Sequence, residues 1–205
     1  MTVTISRLYD HHSDAKRAVQ RLEASGVPHS DISIVANNSD SWFNGDEKDR
    51  DHDGVDDRAE SAGKGAGIGA GIGGTAGLLA GLGLLAIPGL GPVVAAGWLA
   101  ATAVSAAAGA ATGGIVGALT EAGVSEADAH TYAEGVRRGG TLVSARVAES
   151  ERSRLDGVLN QSAVNLEDRS AAWQKSGWKS FDSTSKPYGA EEVRKERALY
   201  GGGIR

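Results

Sequence analysis

The chain has 205 residues, with 21 Lys+Arg against 26 Asp+Glu, a formal net charge of −5 and no cysteine. That length builds one or two domains. The missing cysteine excludes disulfide scaffolds, thiol nucleophiles and cysteine-ligated zinc or iron–sulfur centres, and the acidic balance argues against a nucleic-acid partner, which asks for a basic face.

Val3 and Ile5 alternate with Thr4 and Ser6, the period of a half-buried strand. From His11 to Ser25 the period changes. Ala15, Ala18, Val19 and Leu22 share one helical face, Ser13 or Asp10 is the candidate cap, and Gly26 is the stop. After the turn at Pro28, Ile32, Ile34 and Val35 predict a second strand, so residues 1–36 read as a βαβ half.

Residues 37–60 form a polar loop with nine acids against three bases. Within it, Asp49 to Glu60 matches the calcium-loop pattern D-x-D-x-D-G-x-x-D-x-x-E. Oxygen ligands would come from Asp49, Asp51, Asp53, the Val55 carbonyl, Asp57 through water and Glu60, with Gly54 making the sharp turn. The eighth position is Asp56 rather than an apolar residue, and no amphipathic helix precedes the loop. A solvated acidic loop is therefore the competing reading. Calcium is the one cofactor the sequence suggests.

Residues 61–123 are a Gly/Ala-rich segment, with no Asp, Glu, Lys, Arg or His from Gly65 through Thr120. The turn signal Pro88-Gly89-Leu90-Gly91-Pro92 divides it into arms 65–87 and 93–119, which predicts an inserted helical hairpin of roughly 35 and 40 Å. Gly65, Gly69, Gly73, Gly77 and Gly81 recur every fourth residue on the first arm, and Gly109, Gly113 and Gly117 on the second. Such rows are smooth grooves that admit another backbone closely. Either arm is long enough for a bilayer core of ~30 Å. The competing reading buries the hairpins inside a soluble homo-oligomer, a shell or cage. The G-x-G-x-x-G at Gly69–Gly74 has no acid until Glu121 and is a by-product of glycine abundance.

Residues 124–169 repeat the βαβ grammar. A helix runs from Ser125 to Arg138, with Ser125-x-x-Asp128 as an approximate capping box and Gly139-Gly140 as terminator. A strand over Thr141–Val147, a helix over Glu149–Asn160 and a short strand over Ala163–Leu166 follow. The two halves predict an α+β, ferredoxin-like sandwich: a four-stranded antiparallel sheet with helices on one face. Residues 170–205 are a basic, aromatic tail with a helix over Glu191–Tyr200, expected to be extended unless a surface receives its aromatics. Trp42, Phe43, Trp98, Trp173 and Trp178 are candidate membrane-interface anchors, with packing onto the sheet as the alternative. No nucleophile–base–orienter constellation is present in the sequence, so no enzyme and no small-molecule substrate is expected.

Several segments resemble the bacterial general stress protein 17M-like (heat-induced stress protein) domain family. Val3–Val35 is similar to its N-terminal half. The run from Gly123-Val124-Ser125-Glu126 to Gly139-Gly140-Thr141-Leu142-Val143 is similar to its second half, with Ile87–Pro92 at the turn of the inserted hairpin. Gly177-Trp178 through Pro187-Tyr188, with Glu191–Arg197, resembles the tail. The resemblance implies a stress-response role without an established reaction. Together these readings expect a non-enzymatic protein whose hairpins self-associate in the inner membrane, to stabilise, remodel or perforate it, with both termini in the cytoplasm. The alternative is a cytoplasmic homo-oligomer whose α+β domain recruits partners.

Overall fold

The computed structural model describes residues 1–43, 82–107 and 114–200. Strand β1 (Thr2–Tyr9) leads into helix α1 (His12–Ala24) and strand β2 (Ile32–Asn37). Strands β3 (Gly83–Ile87) and β4 (Gly91–Gly97) follow, then helices α2 (Trp98–Ala107), α3 (Gly114–Glu121) and α4 (Glu126–Arg137). Strand β5 (Thr141–Ala148), α5 (Arg152–Leu159), α6 (Leu166–Lys175) and α7 (Ala190–Tyr200) complete the order. The fold is α+β. Among the described residues one sheet has five strands in the order β1-β5-β2-β4-β3, every neighbouring pair antiparallel.

β5 enters between β1 and β2, pairing Ser6 with Ser144 on one side and Ile34 with Val143 on the other. Residues more than a hundred positions apart therefore share one sheet, and the buried Ser6 and Ser144 hydroxyls bond to each other at 2.8 Å.

Helices cover both faces of this sheet, which corrects the expectation of one. Ile5, Tyr9, Ile32, Ile34, Val143 and Ala145 meet Ala15, Ala18, Val19 and Leu22 of α1 and Leu155 and Leu159 of α5. On the other face Leu8, Val35, Val93 and Leu142 meet Leu99, Leu119, Ala133, Val136 and Trp173. The alternation in β1 reads as half-buried, but all six residues of β2 are buried. A strand with no solvated side belongs to the middle of three layers.

The inserted segment differs most from expectation. The turn lies where Pro88 and Gly89 put it, with Leu90 N–H donating to the Ile87 carbonyl at 3.0 Å, but the described residues that flank it, Gly83–Ile87 and Gly91–Gly97, are strands. Pro88 drives Ile87 into extended backbone, Pro92 cannot sit inside a helix, and Val93-Val94 are β-branched. The second arm is thus divided among β4, α2 and α3 and is not one long helix. Gly97 makes the change of direction from β4 to α2 at φ +89°, where a Cβ would lie 2.2 Å from the Ile32 carbonyl oxygen.

Smaller corrections concern the ends of elements. Residues 163–166 are not a strand: Asn165 caps α6, its Oδ1 accepting from Asp168 N–H at 3.1 Å. Neither Ser13 nor Asp10 caps α1, whose cap position is His11. Ser125 caps α4 as read, its Oγ accepting from Asp128 N–H at 3.2 Å, while the Asp128 carboxylate accepts from the Ser125 hydroxyl at 2.7 Å.

Candidate functional site

The two edges of the sheet are dressed differently. At β1 the outward Ser6 carbonyl accepts from Tyr132 Oη at 2.7 Å and Arg7 Nη1 at 2.8 Å, and the Leu8 carbonyl accepts from Val164 N–H at 2.8 Å. Burial pushes the Tyr132 hydroxyl up to about 12, so it remains a donor over the whole physiological range. Side chains and a loop cover the Ser6–Leu8 part of that edge.

β3 is the other edge, paired among the described residues with β4 alone. Ala86 stands opposite Pro92, which has no N–H, so this is a non-hydrogen-bonded pair. Leu84 and Ala86 therefore turn their peptide groups away from β4. Both are exposed, Leu84 to 51%. The strand reads Gly-Leu-Leu-Ala-Ile, without a charge or proline to discourage pairing. Such an edge offers unpaired peptide groups of the kind that another strand can pair with.

The aromatic residues predicted as interface anchors lie elsewhere. Trp173 is 1% exposed in the core, its indole N–H donating to Glu196 at 2.9 Å, so it has no face to offer a headgroup layer. Trp178 packs edge-on against it at 5.7 Å. Trp98 donates to the Asp31 carbonyl at 3.3 Å and lies under the Arg146 guanidinium at 5.1 Å. Trp42 is 38% exposed and stacks on His12 at 4.3 Å, with the partly buried Phe43 against its edge.

The tail is a docked strap. Phe181 and Val193 are buried, and a Cβ on Gly89 would lie 2.7 Å from Ser183 Cα, so residues 181–183 press on the β3–β4 turn. Beneath the strap, Glu134 is fully buried between Arg138 at 2.6 Å and Arg137 at 3.3 Å. Arg138 continues to Glu196 at 3.0 Å and Arg197 to Asp40 at 2.7 Å. Burial opposes the charge on Arg138, but hydrogen bonds to Glu134 and Glu196 outweigh it and hold the guanidinium above its usual pKa. The group contains no nucleophile and works as a structural clamp. Glu134 with Arg137 and Arg138 at i+3 and i+4 was a readable signal for it.

Gly117 lies partly buried in α3. The other predicted packing glycines, Gly65, Gly69, Gly73, Gly77, Gly81, Gly109 and Gly113, fall outside the described residues, as do the calcium-loop positions Asp49, Asp51, Asp53, Val55, Asp57 and Glu60. Among the described residues no helix is long and apolar enough to cross a membrane, and no group of three or more His, Asp or Glu could hold a metal ion. No protein-family model, curated protein or solved structure matches the chain.

Proposed function

We propose that the protein is a non-enzymatic bacterial stress-response protein that acts as a homo-oligomer, assembled through the uncharged segment. The observation that carries this reading is the uncharged β3 edge, paired among the described residues with β4 alone and with Leu84 exposed, at the end of the glycine-rich run. A strand of one copy can pair there with the same strand of another, giving a self-complementary contact. The stress-response role rests on the resemblance to the general stress protein 17M-like domain. The ferredoxin-like reading is kept in the sense of two split βαβ units, β5 lying between β1 and β2 and β2 between β5 and β4.

The assembly reading is preferred to a membrane hairpin because residues 93–97 pair with β2, with Val93 and Val94 fully buried, so this part of the apolar segment serves the domain's own core. Sedimentation of the purified full chain tests it. The expected result is a discrete particle larger than one chain that Leu84→Lys reduces to a monomer, because a charge at an edge strand opposes pairing. A monomeric wild type overturns the proposal. So does retention of the expressed protein in a carbonate-washed membrane pellet, which would restore the bilayer reading.

A further inference from the structure

Pro92 decides which way the peptide groups of β3 point. It has no N–H, and its carbonyl accepts from Asn38 N–H at 2.9 Å, on the β2 side. Ala86, opposite Pro92, is therefore not bonded to β4, and the alternation of the ladder gives Leu84 the same orientation. Gly83, Leu85 and Ile87 direct their peptide groups at β4. Leu84 and Ala86 direct theirs outward, each with a donor and an acceptor.

The side chains divide in the same way. Leu85 and Ile87 pack against the core on one face of the sheet. Leu84, 51% exposed, and the exposed Ala86 share the other face. A large residue and a small one thus stand side by side, and an antiparallel copy of the strand can set each beside the other.

In an antiparallel ladder an outward residue meets an outward residue, so a two-fold axis can pass at Leu84, Leu85 or Ala86. At Ala86 it sets Leu84 against the partner's Pro88, which has no N–H and begins the turn on which residues 181–183 press. At Leu84 it sets Ala86 against the partner's Leu82, which is buried and lies outside the strand. At Leu85 it pairs Leu84 with the partner's Ala86, and Ala86 with the partner's Leu84, so every outward group of β3 finds a partner. The other edge is a poorer match for β3, because the outward carbonyls of Ser6 and Leu8 already accept from Tyr132, Arg7 and Val164.

We infer that two copies of the chain join through antiparallel β3 strands about a two-fold axis at Leu85, making one continuous sheet of their two five-stranded sheets. This rests on the homo-oligomer reading and states how the copies meet. Leu85 then lies opposite the partner's Leu85, in a non-hydrogen-bonded pair with Cα atoms about 4.5 Å apart. The chain has no cysteine, so single cysteines report such distances without background. Leu85→Cys is expected to give a disulfide-linked dimer on mild oxidation of the full chain, since that separation is within disulfide reach. Leu84→Cys alone and Ala86→Cys alone should stay unlinked, because the same residue of the partner is then a diagonal neighbour about 7–8 Å away. Co-expressed Leu84→Cys and Ala86→Cys chains should link to each other. Both positions are exposed, so this arm does not depend on how the partly buried Leu85 tolerates substitution. The register stands only if both the Leu85 pair and the mixed pair link. Linkage of Leu84→Cys alone moves the axis to Leu84 and overturns it. No linkage at any position, in a particle that sediments as larger than one chain, overturns the two-fold contact and leaves the homo-oligomer reading in place. A monomeric wild type overturns both.

Discussion

Glu134 shows how much one side chain can hold together. It is a carboxylate with no exposure, and both of its oxygens are bonded to guanidinium groups one turn along the same helix. Glu134→Gln keeps the shape and removes the charge, leaving Arg137 and Arg138 half-buried without their common partner. Breaking a buried pair in this way costs about 3–5 kcal/mol, and because Arg138 retains Glu196 we expect the lower end, about 3 kcal/mol. A urea midpoint that falls with an unchanged slope would measure it. His12 supplies a pH dependence. Burial, and then the nearby Lys16, lowers its pKa below the ordinary value of 6.5. Between 6.5 and the lower folded value, the unfolded chain binds a proton that the folded one does not, so stability falls as pH drops through that window. Above 6.5 His12 contributes no slope. His12→Phe retains a ring against Trp42 and should flatten the acid side of a stability–pH curve recorded by thermal unfolding.

At the scale of elements, the junction between β4 and α2 depends on one residue without a Cβ. Gly97→Ala forces a side chain to φ +89° and drives it into the Ile32 carbonyl, and it should cost about 3 kcal/mol by chemical denaturation. A much smaller loss would mean that β4 shifts away from β2 without harm. This junction also marks where the sequence stops being readable. In α1 the apolar positions are separated by Lys16, Arg17, Gln20 and Arg21, so the helical period stands out, and the four residues it selects are all fully buried. The capping box of α4 and the strand β5 are legible for the same reason. From Gly65 to Thr120 no charged residue marks a solvated face, and such a run fits a helix as well as a buried strand. The prolines announce the turn, and the β-branched pair Val93-Val94 that favours a strand stands at the start of the predicted second helical arm. Asn165-x-x-Asp168 likewise marks a helix start within the short run Ala163–Leu166 that predicts a strand. The site was less legible than the fold. An edge strand is defined by what does not pair with it.

For the molecule as a whole, the strap ties the late chain to the inserted hairpin. Residues 181–183 press on the β3–β4 turn, while α7 is held by the pairing of Glu196 with Arg138 and Trp173, of Arg197 with Asp40, and by Val193 in the core. Arg169 adds a two-point contact to Asp10 and lies 3.7 Å from the Tyr200 ring centroid, so the strap is fastened to both halves of the domain. The edge strand proposed for assembly is therefore supported from behind by a segment a hundred residues downstream. Loosening the strap should loosen the edge. Glu196→Ala removes the acceptor shared by Arg138 and Trp173 and leaves the sheet's hydrogen bonds intact. Native-state hydrogen exchange should then accelerate in residues 178–200 and in β3 and β4, while amides in α1 and β1 keep their protection, the pattern of a local opening and not of global unfolding. Equal acceleration everywhere would mean that strap and sheet unfold as one unit. Acceleration confined to residues 190–200 would mean that α7 frays without reaching the hairpin, and the edge would then owe its position to β4 alone.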